Sequence, residues 1–195
     1  PEVRDRWLHY QLVPVEDGVA LILRDITERR EAQQQLAALA RHDTLTGLPN
    51  RRHFEEQLAD AAARARRSDQ ALALLYLDLD GFKRVNDNLG HEAGDQLLIE
   101  VARRLKAGVR STDLACRLGG DEFTVILENA GDADARLRQC ERLLESLSRP
   151  HQLAGREVVA TPSIGIAVYR SGESREALRQ RAGAAMYEAK HAGKA

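Results

Sequence analysis

The sequence predicts an α+β domain, because strand-length apolar runs alternate with segments of helical period. Ala71–Leu77 is an uncharged apolar run of strand length. Leu114–Leu118 and Thr124–Leu127 are two β-prone arms on either side of Gly119-Gly120, which reads as a hairpin. Between these strands, Leu97, Leu98, Val101 and Leu105 recur at the spacing of one helix face.

The elements follow in chain order. Trp7–Val15 and Val19–Leu23 flank Asp17-Gly18 and read as a first hairpin. Two strands alone are barely stable, so this hairpin is expected to be the end of a larger sheet. Thr27 can cap a helix that runs to Arg41. Its apolar positions Ile26, Leu36, Leu39 and Ala40 form a thin seam, which suits either a solvated connector or a weak parallel dimer helix. Phe54–Arg67 is helical, Ala71–Leu77 a strand and Ala93–Val109 a helix. After the Gly119-Gly120 hairpin come a helix over Ala133–Leu147, strand material over Val158–Val168 and a last helix over Ser174–His191.

Composition narrows the function classes. A chain of 195 residues with 43% hydrophobic and 30% charged residues supports a proper core and a polar surface. The net charge of −1 gives no broad attraction to nucleic acid or membrane, and Arg64-Ala65-Arg66-Arg67 reads as a solvated helix end. No apolar run approaches the ~20 residues of a membrane span. Cys116 and Cys140 do not make a disulfide framework, which suits a reducing cytoplasm. The chain opens at Pro1 and reads as a piece of something longer, compatible with a membrane anchor upstream.

The chemistry gathers at two strand ends. Asp121 and Glu122 follow the hairpin glycines, where strand preferences and mutual repulsion disfavour two acids. Asp78 and Asp80 close the apolar run and, by period-two alternation, point the same way. Acids at two strand ends can hold a hard cation and leave positions for phosphate oxygens.

Asp78-Leu79-Asp80-Gly81-Phe82-Lys83-Arg84-Val85-Asn86-Asp87, Gly90-His91-Glu92-Ala93-Gly94-Asp95 and Arg117-Leu118-Gly119-Gly120-Asp121-Glu122-Phe123 resemble the GGDEF family of diguanylate cyclases. Asp43–Arg51 is similar to that family's opening segment. Ser163–Ala167 and Ala189–Lys194 are similar to its closing ones. Six segments in the family's order, from about residue 40 to the end, make the resemblance specific. Arg24–Arg30 resembles the end of a PAS sensor domain. The implied organisation is a PAS remnant over 1–26, a signalling linker helix over 27–41 and a cyclase domain over 42–195. The implied fold is a mostly antiparallel sheet flanked by helices, as in nucleotide cyclases and polymerase palms.

The resemblance also implies roles. Asp78, the Leu79 carbonyl and Asp121 are the metal ligands for Mg²⁺, with Mn²⁺ as an alternative ion. Asp121 or Glu122 takes the proton of the attacking hydroxyl, and residue type does not decide between them. Gly81, Phe82 and Lys83 face the phosphates, as do Gly119 and Gly120, with Lys83, Lys190 and Lys194 supplying charge. Asn86 and Asp95 read guanine, an ionised Asp accepting from its N1–H and N2–H₂ edge, and His91 lies between them. Arg110 and Asp113, in Arg-x-x-Asp spacing before Gly119, correspond to the inhibitory product site. The implied reaction joins two GTP into cyclic di-GMP, with the product as inhibitor and a homodimer as the active form. A catalytically silent GTP or cyclic di-GMP receptor is the alternative, opposed by the intact acids.

Overall fold

The computed structural model describes residues 6–68 and 70–193, and the side chains of residues 33–39 lie outside that description. The chain divides into two units, the first ending at Ala40 and the second beginning at Arg41.

In the first unit, β1 (Leu8–Val15) and β2 (Gly18–Asp25) pair antiparallel, and α1 (Thr27–Arg41) follows. The turn into α1 is pinned locally. Thr27 Oγ1 accepts the Trp7 N–H at 2.9 Å, and Asp25 Oδ1 accepts the Thr27 N–H at 2.9 Å. The register puts Leu8, Tyr10, Leu12 and Pro14 on one face with Val19, Leu21 and Leu23. Tyr10 and Leu12 are 66% and 60% exposed, so this face is apolar and uncovered among the described residues. The seam residues Leu36 and Leu39 lie where side chains are not described.

The second unit has a four-stranded antiparallel sheet in the order β4-β5-β3-β8, made of β3 (Ala73–Leu79), β4 (Leu114–Gly119), β5 (Glu122–Leu127) and β8 (Pro162–Val168). A small hairpin, β6 (His151–Leu153) and β7 (Arg156–Val158), lies outside it. The helices are α2 (Arg51–Ser68), α3 (Phe82–Leu89), α4 (His91–Gly108), α5 (Ala133–Ser148) and α6 (Arg175–Ala192). The fold is therefore α+β with an antiparallel central sheet flanked by helices, as the sequence predicts.

Central strand β3 is buried on both faces, which explains its unbroken apolar run. Leu75, Leu77 and Leu79 pack with Leu97, Val101 and Leu105 of α4 and Leu143 of α5. Leu74 and Tyr76 pack on the opposite side with Phe54 and Leu58 of α2 and Leu178 and Ala182 of α6. By the same alternation Asp78 emerges on the α2/α6 face.

Several elements differ from expectation, among them the small strand β6. β3 runs two residues further, because β5 and β8 pair it as far as Asp78 and Leu79. After it a separate helix, α3, is cut off from α4 by Gly90, whose φ of 86° leaves the helical region. The strand material before β8 is split, β7 ending at Val158 and β8 starting at Pro162.

Candidate active site

The site lies where β3 and the β4–β5 hairpin end. Asp78 pairs in register with Glu122 on one side and Ser163 on the other. Gly119 and Gly120 form the tip with φ of 134° and 55°, a backbone open to glycine and strained for other residues. Asp121 stands next to Glu122, the register partner of Asp78, so the two strand ends bring their acids to one place; burial first, and then the Asp78 charge, pushes the Asp121 carboxyl above the ordinary range. Lys190, in the last turn of α6, donates from Nζ to Asp78 Oδ1. That bond is the main reason the Lys190 ammonium is held above its ordinary range.

The acids at the end of β3 part company. Asp80 bonds to β8, accepting from Ser163 Oγ at 2.9 and 3.1 Å and from Thr161 Oγ1 at 3.3 Å, while its N–H meets the Thr161 carbonyl at 2.8 Å. In an antiparallel ladder this turns the backbone of Leu79 the other way, toward β5, where pairing ends at Asp78–Glu122. The two acids of the hairpin also differ. Glu122 Oε2 lies 3.7 Å from Arg51 Nη2, whereas Asp121 faces Asp78 and the field of Lys190.

Asp78, Asp121 and the Leu79 carbonyl are hard oxygen donors, and two close carboxylates favour a cation between them. They fit Mg²⁺ or Mn²⁺. Among the described residues no three His, Cys, Asp or Glu side chains form a metal cage. An ion here would need oxygens brought by its ligand, as Mg²⁺ commonly does in nucleotide sites.

Beside the acids is an open cavity of about 550 Å³, lined among others by Asp80, Gly81, Lys83, Arg84, Thr161 and Lys190. Gly81 precedes α3 with φ 74° and lines the cavity together with Lys83 and Arg84 of the first turn. Two basic side chains at this helix start, with Lys190 from the last turn of α6, suit phosphate. Lys194 lies outside the described residues.

Asn86 is half-buried on α3, and Asp95 and His91 are exposed on α4. Asn86 packs against Gly94 so closely that a Cβ there would stand 1.9 Å from Asn86 Oδ1. Phe82 is part of the same junction, its Cε2 3.4 Å from that position.

Arg110 and Asp113 line a second, shallow cleft with Glu128, Asn129, Arg136 and Gln139. Asp113 Oδ2 accepts the Arg110 backbone N–H at 3.1 Å, and burial pushes its carboxyl up. Cys116 is buried and its thiol is pushed up to about 12 by burial, so it is chemically quiet.

Sequence reasoning missed the supports. Arg117 links the hairpin tip to Asp43, and Arg51 Nε donates to the Leu118 carbonyl at 3.3 Å. Both lie in recognised segments, yet neither stands in a pattern that names its partner.

An antiparallel sheet with carboxylates at the ends of its two central strands, beside a basic cavity, defines a nucleotide-handling domain of the cyclase type. The family profile described as "Diguanylate cyclase, GGDEF domain" matches residues 40–195, and the chain belongs to that family. It is 47% identical over 169 residues to the bifunctional diguanylate cyclase/cyclic di-GMP phosphodiesterase MucR of Pseudomonas aeruginosa, covering 86% of this chain and 24% of that protein. It is 40% identical over 163 residues to the diguanylate cyclase TpbB of Pseudomonas aeruginosa, covering 83% and 38%. Among solved structures, the coiled coil and GGDEF domain of DgcB from Caulobacter crescentus, in complex with c-di-GMP, aligns with a TM-score of 0.80 at 31% identity, covering 86% and 90%. The chain thus spans well under half the length of these curated relatives. No helix among the described residues is long and apolar enough to cross a membrane.

Proposed function

We propose that this chain is an active, cytoplasmic diguanylate cyclase output domain that condenses two GTP into cyclic di-GMP and releases two diphosphates. The observation that carries this is the placement of Asp78 and Asp121 at adjoining strand ends, with Lys190, bonded to Asp78, lining the cavity that also holds Lys83 and Arg84. Asn86 and Asp95 orient guanine, the acid pairing with donors that adenine lacks. Lys83 and Lys190 hold the phosphates, with Lys194 a further charge beyond them. The 3′-hydroxyl of each nucleotide attacks the α-phosphorus of the other, and Asp121 receives its proton. Asp121 faces Asp78 at the hairpin tip, while Glu122 is directed to Arg51, which favours Asp121 for this role. Mg²⁺, held by Asp78, Asp121 and the Leu79 carbonyl, supplies charge neutralisation on the phosphate oxygens when bound.

One domain offers one nucleotide site, so two copies face each other as a two-fold dimer. The Arg110–Asp113 cleft takes the product as inhibitor, Arg110 gripping phosphate and Asp113 a base edge. Residues 1–26 are the end of a PAS sensor and 27–41 its linker helix. The apolar face of β1–β2, uncovered among the described residues, supports the view that the hairpin belongs to a larger domain. Mass spectrometry after incubation with GTP and Mg²⁺ tests the proposal. Cyclic di-GMP is expected, and its absence under all protein concentrations would leave the silent-receptor reading.

A further inference from the structure

Lys190 lines the cavity suited to phosphate, yet its ammonium sits on Asp78, a carboxylate assigned to the cation. Both side chains are sheltered, at 25% and 14% exposure, so the pair is weakly screened by solvent. While the bond holds, Asp78 Oδ1 is occupied and a positive charge stands where a divalent ion would enter. Asp121 and Asp80 also attract the ammonium, so it neutralises a cluster of acids rather than one.

One turn before Lys190, α6 is packed tightly on the sheet. A Cβ on Gly165 of β8 would lie 2.1 Å from Met186 N and 2.4 Å from the Ala182 carbonyl oxygen, so helix and strand are in backbone contact. The four-carbon lysine stem is flexible, and Lys83 and Arg84 share the cavity lining with Lys190.

We propose that Lys190 is the resident counter-ion of the nucleotide-free carboxylate pair and that it couples nucleotide entry to cation entry. The phosphates draw the ammonium away from Asp78, and that departure frees the carboxylate for the divalent ion. The cation alone therefore binds weakly, and nucleotide tightens it. This deepens the proposed function and rests on its metal-site reading.

Calorimetry or electron paramagnetic resonance with Mn²⁺ on the whole chain tests the coupling, with and without a GTP analogue lacking the 3′-hydroxyl. Wild type is expected to bind Mn²⁺ alone weakly, and at least about tenfold more tightly with the analogue. Lys190→Met should raise the affinity for Mn²⁺ alone by about tenfold and shrink the gain from the analogue. Lys190→Arg, which keeps a cation beside Asp78, should retain the wild-type pattern. Lys83→Met, which removes a cavity charge not bonded to Asp78, should leave the affinity for Mn²⁺ alone near wild type. Equal binding of Mn²⁺ alone by wild type and Lys190→Met overturns the inference, provided Asp78→Asn abolishes Mn²⁺ binding. If Asp78→Asn instead binds Mn²⁺ as wild type does, the metal-site reading fails with it.

Discussion

Arg117 joins Asp43 to the tip of the β4–β5 hairpin: Nη1 meets Asp43 Oδ1 at 2.9 Å, while Nε and Nη2 meet the Gly120 carbonyl at 3.0 and 2.8 Å. Asp43 is in turn held by the Thr46 N–H at 2.9 Å and its hydroxyl at 2.7 Å, and the Arg117 N–H bonds the Pro49 carbonyl at 2.9 Å. The loop before α2 thus fixes the backbone from which Asp121 projects. The Arg117 and Asp43 side chains are 10% and 21% exposed, so the pair is more than a surface contact.

Arg117→Ala is expected to cost about 1.5–3 kcal/mol, because a mostly buried carboxylate loses its charged partner. Burial alone would raise the Asp43 carboxyl, but bonds from Thr46 and Arg117 outweigh it and hold the group low. The latch is then intact above the unfolded carboxylate pKa of about 3.9 and fades as pH falls through the lower folded value. Denaturant titrations from pH 7 to pH 3 should show the wild-type advantage over Asp43→Asn shrinking at the acid end.

Asp121→Asn should abolish cyclic di-GMP synthesis and stabilise the fold at neutral pH. Burial and the Asp78 charge raise this carboxyl, so the fold favours its protonated form. That contribution is complete below about pH 3.9 and is lost as pH rises through the folded value. Thermal melts should show the variant above wild type at pH 7, converging below about pH 4. Turnover should drop by at least about 10²–10⁴-fold. A variant with near-normal turnover would contradict the assignment.

Gly94→Ala should separate stability from nucleotide recognition. A methyl there meets Asn86 Oδ1 at 1.9 Å and must displace that amide. Alanine in a helix gains roughly 0.5–1 kcal/mol over glycine, which offsets the crowding. The melting temperature should change little while KM for GTP rises about tenfold, the loss of one good hydrogen bond. An unchanged KM would remove Asn86 from base reading.

Gly165→Ala should do the reverse and damage the fold. The new methyl would strike backbone atoms of α6, which cannot rotate away, at an overpacking cost of about 1–3 kcal/mol or more. Lower stability by denaturant titration, with activity falling because Lys190 moves with its helix, is the expected result.

Arg110→Ala should weaken product binding by about one to two decades, the loss of charge-assisted contacts worth roughly 1.5–3 kcal/mol. Progress curves should stay linear to higher product, and calorimetry should show weaker cyclic di-GMP binding with turnover retained. Equal product affinity in both proteins would make Arg110 an ordinary surface arginine.

The sequence by itself determined the strands, most helices and the two places where acids meet the sheet edge. Those features are local. The apolar run of β3, the paired glycines after Leu118 and the spacing of Leu97, Val101 and Leu105 each express a backbone period or turn within a few residues. Short elements such as β6 and β7 escaped, since three residues are too few to show a period. Only the tertiary structure decided which side chains share the charges. Lys190 reaches Asp78 across 112 residues and Arg117 reaches Asp43 across 74. Asp80 bonds Ser163 and Glu122 lies near Arg51, pairings that neither acid's own segment announces. Such pairings depend on where folded elements converge in space, and a pairwise Coulomb or hydrogen-bond contact leaves no periodic trace in the order of residues.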